Sequence, residues 1–154
     1  MNELIPHLRR YARALVGPHA SPDDLVRETL TRAAQELHYY AGQRESRVRL
    51  FTLMHQAYVE QMRAHPGAEP LEEHPPAGLA ERERLMLEDF DRAITVLPPE
   101  QREVFLLVTL EEMTYEEVAK TLAIPIGTVM SRLSRAREKL RALLLGHVRL
   151  KAVK

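Results

Sequence analysis

The run from Thr114 to Arg141 admits little besides two helices joined by a tight turn, and that pairing constrains what the rest of the chain can be. Thr114 can accept the amide of Glu117 while the Glu117 side chain reaches back to the amide of Thr114, which satisfies two N–H groups that a helix start otherwise leaves orphaned. The first helix is expected to end near Leu122. Pro125 lacks an N–H and biases Ile124 away from helical backbone, yet a proline is tolerated in the first turn of the helix that follows. Ala123 to Pro125 is therefore the turn. In the second helix Val129, Leu133, Ala136 and Leu140 recur at spacings of four, three and four, which predicts one buried stripe. The opposite face carries Thr128, Ser131 and Arg135, with Met130 and Ser134 on one flank and Arg132 on the other.

A DNA-binding helix-turn-helix presents such a face: the N-terminal residues of its second helix reach base edges, and basic side chains around them hold phosphate. Arginine suits both tasks, because its planar fork grips a guanine edge or a phosphate with two hydrogen bonds. The candidate duplex-reading set is Thr128, Met130, Ser131, Arg132, Ser134 and Arg135. Basic residues late in a helix also complement its macrodipole, so charge alone does not make the case. The agreement of capping, turn and face does.

Strand signals are nearly absent, so the expected fold is all-α. One helix is expected over about Asn2 to Val16, ending at Gly17-Pro18. Ser21 caps a second, with Pro22 in its first position and Asp23 and Asp24 in its first turn, running to about Tyr40 with Leu25 or Val26, Leu30, Ala33 and Leu37 inward. A polar loop, Ala41 to Glu45, leads to a third helix capped by Ser46 and ending near Ala64. Four prolines, two glycines and three glutamates then crowd between His65 and Gly78, a composition suited to an extended linker. Helices follow over Leu79 to Leu97 and Pro99 to Leu110, then the helix-turn-helix. The chain of 154 residues thus divides into two small helical domains, 1–64 and 79–154, joined by a proline-rich linker over 65–78. Each half has a marginal core, so docking on the other half or on a partner is expected to add stability.

The net charge is zero, but its distribution is uneven: Ile126 to the C-terminus has eight Lys or Arg against Glu138, and Glu69 to Asp91 has eight acids against Arg82 and Arg84. The basic end suits a DNA-facing surface. The acidic stretch fits either a segment that covers that surface or a solvated helix. With no cysteine, disulfides, thiol catalysis and cysteine-ligated zinc are excluded. The histidines form no metal-binding pair, no phosphate loop is present, and the paired carboxylates Asp23-Asp24, Glu111-Glu112 and Glu116-Glu117 lie at or near helix starts, where the dipole favours acids. No catalytic residue, cofactor or metal ligand is expected. Nothing resembles a signal peptide or membrane span, so a soluble cytoplasmic protein is expected. The third helix carries Arg47, Arg49, His55, Gln56, Tyr58 and Arg63, a mixture that fits single-stranded nucleic acid, although Phe51 and Tyr58 also suit a three-helix core.

Leu97-Pro-Pro-Glu-Gln-Arg-Glu-Val104, Thr114-Tyr-Glu-Glu-Val-Ala119 and Ile126-Gly-Thr-Val-Met-Ser-Arg-Leu-Ser-Arg-Ala-Arg-Glu-Lys-Leu-Arg141 resemble region four of the extracytoplasmic-function sigma factors of bacterial RNA polymerase. Leu8-Arg-Arg-Tyr-Ala-Arg-Ala-Leu15, Asp23-Asp-Leu-Val-Arg-Glu-Thr29 and Arg49-Leu-Phe-Thr-Leu53 resemble region two, and the general-stress-response branch is the nearest in flavour. The resemblance implies a subunit of transcription initiation without catalysis of its own. Asp24, Leu25, Val26, Glu28 and Thr29 would dock on core RNA polymerase. Gln43, Arg44, Arg47, Arg49, His55, Gln56 and Arg63 would take the melted single strand of the promoter, and the helix-turn-helix its upstream element. An anti-sigma factor is the expected regulatory partner.

The chain departs from that pattern in places. Arg49 stands where many relatives have tryptophan, His55 or Gln56 where they have asparagine, Arg63-Ala-His65 where they have a longer basic run, and Met130 where a lysine or arginine is common. The thin basic content of the first half motivates an alternative, a sigma-like decoy that sequesters an anti-sigma factor. A stand-alone helix-turn-helix regulator is a third possibility, opposed by the two-domain layout.

Overall fold

The computed structural model describes residues 2–17, 20–36, 42–65 and 81–152, and within the last segment the side chains of 89–145. Every regular element among the described residues is helical. A 3-10 turn, Asn2–Leu4, leads into α1 (Ile5–Val16), followed by α2 (Pro22–Glu36), α3 (Gln43–Ala64), α4 (Glu81–Val96), α5 (Pro99–Thr109), α6 (Tyr115–Leu122) and α7 (Ile126–Ala152). Ser21 caps α2 as expected, its Oγ accepting the Asp24 amide at 3.4 Å. The expected end of α2 near Tyr40, with Leu37 in its inner stripe, and the linker over 66–78 lie outside the described residues.

The start of α3 differs from the sequence expectation. Gly42, extended at φ −137° and ψ 150°, stands at the N-cap without a side-chain bond, and Ser46 lies a full turn inside the helix. Gln43 and Arg44 are therefore helical, not loop. The added turn carries Arg44, which bonds to Glu117 of α6, so a contact distant in sequence accompanies the earlier start.

Leu8, Tyr11, Ala12 and Leu15 of α1 pack with Leu25, Val26 and Ala33 of α2 and Leu50, Phe51, Leu53, Met54 and Ala57 of α3. Tyr11 meets the Phe51 ring edge-to-face, with centroids 5.2 Å apart. In the second half Val104, Leu107, Val118, Leu122, Val129, Leu133, Ala136 and Leu140 are all buried. The two sets form one continuous apolar cluster, because α1 lies against α5 and α3 against α6. Fully burying each such side chain is worth about 1.5–3 kcal/mol, and joining two marginal cores enlarges what each half could bury alone.

Arg102 of α5 ties the halves together. It is 6% exposed, and its guanidinium donates to Leu15 O of α1 at 2.9 Å, to Ile94 O at 3.0 Å, to Thr95 O at 2.7 Å and to Leu97 O at 2.9 Å. One planar fork thus satisfies the carbonyls that helix ends leave without intrahelical partners. Burial pushes its pKa down, and nearby Tyr58 and Glu103 push it back up. At the same junction Gly17 closes α1 at φ +54°, and a Cβ there would stand 3.4 Å from Thr95 Oγ1 of α4. Both the left-handed backbone and the close approach favour glycine.

Candidate nucleic-acid interface

The helix-turn-helix is built as its sequence dictates. Thr114 Oγ1 accepts the Glu117 amide at 3.2 Å while the Thr114 amide donates to Glu117 Oε2 at 2.9 Å. After Leu122 the chain turns through Ala123 in left-handed backbone, φ +54° and ψ 47°, with the Ile124 amide bonded back to Ala119 O at 3.0 Å. That six-to-one bond closes a Schellman turn around a residue where glycine is usual. Thr128 and Val129 amides then bond to Pro125 O and start α7.

The faces of α7 fall as the spacing predicts. Val129, Leu133, Ala136 and Leu140 are no more than 5% exposed, whereas Met130 is 52% exposed and Ser131, Ser134 and Arg135 are open to solvent. Thr128 is half-buried, and Ser131 Oγ donates to its carbonyl at 3.2 Å. Arg132 stands apart from the rest. It lines an open cleft of about 430 Å³ between the halves, with His55, Met62, Glu103 and Ile124. A shallow groove of about 400 Å³ flanks the outer face and includes Tyr115, Met130, Ser134, Arg137 and Arg141.

The residues expected to take single-stranded nucleic acid do not form one surface. Arg44, Arg47, His55 and Met62 share a stripe of α3 with Phe51 and Tyr58, and that stripe faces the second half. Arg49, Gln56 and Arg63, at spacings of seven, fall off that stripe; Gln56 and Arg63 are exposed, Arg63 also lining the cleft where Arg132 stands, and Arg49 bonds to Glu36 of α2 at 3.0 Å and 2.5 Å. Gln43 is exposed in the first turn. A helix of 22 residues turns these side chains through its whole circumference.

The covered stripe meets three glutamates. Arg44 donates to Glu117, already the capping residue of α6. Arg47 donates to the carbonyl and carboxylate of Glu111 and lies over the Phe51 ring at 5.9 Å. Glu111 has a fully buried side chain and also receives His7 at 3.2 Å and Arg10 at 3.3 Å from α1. His55 Nδ1 contacts Glu103, which is 4% exposed. Burial raises the pKa of Glu103, and His55 and Arg132 act in the opposite direction. Burial also raises that of Glu117, but bonds from Arg44 and the Thr114 amide, with the charges of Arg44 and Arg47, outweigh it and leave the pKa lowered.

Of the set expected to meet polymerase, Leu25, Val26 and Thr29 are buried, with the Thr29 hydroxyl donating to Leu25 O at 2.8 Å. Their apolar and self-satisfied side chains belong to the core between α2 and its neighbours. Asp24 and Glu28 alone of that set present side chains at the surface.

Arg102 and Glu103 stood in the sequence only within the region-four-like stretch and Glu111 only as one of a carboxylate pair, so their bonding across the halves was not expected. The available signal was that Arg102 and Glu103 stand one turn before Leu106 and Leu107, on the face that has to be buried. Among the described residues no helix is long and apolar enough to cross a membrane, and no acid, cysteine and histidine cluster could hold a metal.

The sequence matches the family model "Sigma-70, region 4" over residues 87–140 and "Sigma2 domain of PhyR" over residues 1–55. It is 32% identical over 149 residues to the ECF RNA polymerase sigma factor EcfG of Rhodopseudomonas palustris, covering 91% of this chain and 80% of that protein. It is 31% identical over 139 residues to the ECF RNA polymerase sigma factor SigC of Mycobacterium tuberculosis, covering 84% and 73%. Its fold is similar to that of the sigma factor RpoE from Bartonella quintana, solved in complex with the anti-sigma factor NepR, at a TM-score of 0.76 and 31% identity over 93% of this chain and 94% of that one.

Proposed function

The chain belongs to the extracytoplasmic-function group of RNA polymerase sigma factors, and from that premise we propose that it is an alternative sigma factor of the general-stress-response type, acting in the cytoplasm without catalysis of its own. It associates with core RNA polymerase and directs it to a two-part promoter. The observation that carries this is the two-faced α7: a sealed apolar stripe behind, and Met130, Ser131, Ser134 and Arg135 open in front at the helix start that a capped turn delivers. Thr128, Met130, Ser131, Ser134 and Arg135 meet the upstream element in the major groove, with Arg132 at the flank. Arg137 and Arg141 extend the basic surface toward phosphate. Asp24 and Glu28 on α2 supply the polymerase contact, and Leu25, Val26 and Thr29 hold that helix in place from behind. The expected regulatory partner is an anti-sigma protein of the NepR kind.

In vitro transcription with core polymerase on a promoter panel tests the proposal. Promoter-dependent transcripts are expected, and Arg135→Ala is expected to cost about 1–3 kcal/mol of upstream-element binding in a footprint, as for a lost bidentate base contact. Binding to core with no transcript from any promoter, together with tight binding of an anti-sigma protein, would make the chain a decoy instead.

A further inference from the structure

The start of α7 exposes two apolar side chains beside its polar recognition face: Met130 is 52% exposed and Ile126 40%. Single exposed apolar residues are ordinary on a protein surface. These two stand four residues apart, which puts them side by side on the helix, and Met130 stands where a lysine or arginine is common. Neither belongs to the sealed stripe of Val129, Leu133, Ala136 and Leu140. The apolar group that marks a base in the major groove is the C5-methyl of thymine. From this juxtaposition we infer that Met130 and Ile126 read thymine methyls in the upstream element, so that this chain takes part of its promoter specificity from apolar contact. The inference rests on the sigma-factor assignment above and names a specificity determinant within the same recognition helix.

The surroundings fit duplex DNA as the occupant. Met130 walls the shallow groove that Ser134, Arg137 and Arg141 also line, and the acid of that lining, Glu138, is outnumbered by the two arginines. Positive charge beside an apolar contact suits a groove in which phosphates run alongside the base edges. Gly127 follows Ile126 in the first turn, and a Cβ there would meet nothing in the described residues within 4 Å. Glycine is a poor helix former, and the fold does not call for it at this position; its bare backbone lets the helix start approach base edges closely. Residues four apart rise about 6 Å along a helix, against about 3.4 Å per base pair. Met130 and Ile126 therefore reach methyls roughly two base pairs apart.

The test uses the full chain assembled with core polymerase. The probe is a duplex of whichever promoter in the panel is transcribed best, and binding is read by equilibrium competition. Each thymine of the upstream element, on either strand, is replaced in turn by uracil, which removes the methyl and leaves every hydrogen-bonding group in place. Uracil at two positions, roughly two base pairs apart, is expected to weaken binding about threefold to fivefold each, the size of one buried methylene. Met130→Ala puts a strong helix former at an exposed site; it is expected to weaken binding to the thymine duplex by a similar factor and to abolish the uracil penalty at one position. Ile126→Ala is expected to do the same at the other. Met130→Lys is expected to lose the Met130 penalty while binding every duplex more tightly and with a steeper salt dependence. Uracil without effect at every position overturns the inference, as does a penalty undiminished in both alanine variants. A Met130→Ala chain weakened alike on thymine and uracil duplexes assigns the residue to a polymerase contact and overturns it too. In each of these cases transcripts from the parent chain leave the sigma-factor assignment standing. Absence of transcripts from any promoter overturns the assignment and this inference with it.

Discussion

Replacing Arg102 by methionine keeps an unbranched side chain in the slot between α1, α4 and α5 and removes every donor from it. Four carbonyls lose a bond, and among the described residues Ile94 O keeps another, from the Leu97 amide at 3.2 Å. Each buried acceptor left unsatisfied costs about 1–3 kcal/mol, so the remaining three cost roughly 3–9 kcal/mol before relaxation and water entry. Against that, the chain no longer desolvates a guanidinium, a penalty of several kcal/mol. The net expectation is about 2–5 kcal/mol, a large share of the roughly 5–15 kcal/mol typical of a folded domain. Arg102→Lys restores the charge but cannot span four acceptors with one ammonium, and about half that loss is expected. Urea unfolding followed by circular dichroism and by tyrosine fluorescence measures both variants. A methionine variant within about 0.5 kcal/mol of the parent refutes the argument that these carbonyls depend on Arg102, and a lysine variant equal to arginine refutes the role of the planar fork.

Ala123 pays the steric cost of left-handed backbone, so Ala123→Gly is expected to stabilise by about 0.5–1 kcal/mol in thermal unfolding. A destabilised variant would contradict the turn geometry. Thr114→Ala removes the cap of α6 and is expected to cost about 1 kcal/mol by the same measurement. Leu133→Ala, beneath the recognition face, is expected to cost about 2–5 kcal/mol, and its DNA affinity should fall only where the folded fraction does. Glu117 has a folded pKa below its ordinary 4.5, so its contribution is fully present above that value and is lost as pH falls through the lowered one. The stability difference between the parent and Glu117→Gln should therefore be flat from pH 7 to about pH 5 and shrink below; a difference that is constant down to pH 3.5 contradicts the pairing.

The recognition helix was legible because everything that shapes it is local. Thr114 and Glu117 lie three residues apart, Pro125 limits its own neighbours, and the period of Val129, Leu133, Ala136 and Leu140 is that of the helix itself. The α3 site was legible only as a collection of residue types. Arg44, Arg47, His55, Arg49, Gln56 and Arg63 read as one basic, polar set in sequence, yet the turn per residue places some on the covered stripe and others off it. Likewise Asp24 to Thr29 carried the family resemblance, but the burial of Leu25, Val26 and Thr29 beside surface-facing Asp24 and Glu28 follows from how α2 packs on its neighbours.

Sequence by itself determined the all-helical class, the capped pair of helices and which side of α7 is dry, because backbone hydrogen bonding and side-chain periodicity act over a few residues. Tertiary structure alone decided that the halves share one core, that Arg102 bonds carbonyls from both, and that Glu111 gathers His7, Arg10 and Arg47 from α1 and α3. The partners drawn from opposite halves lie from 64 to 104 residues apart. No local period encodes such a meeting; it follows from the packing of whole helices, which brings a buried carboxylate to the cations that offset its desolvation.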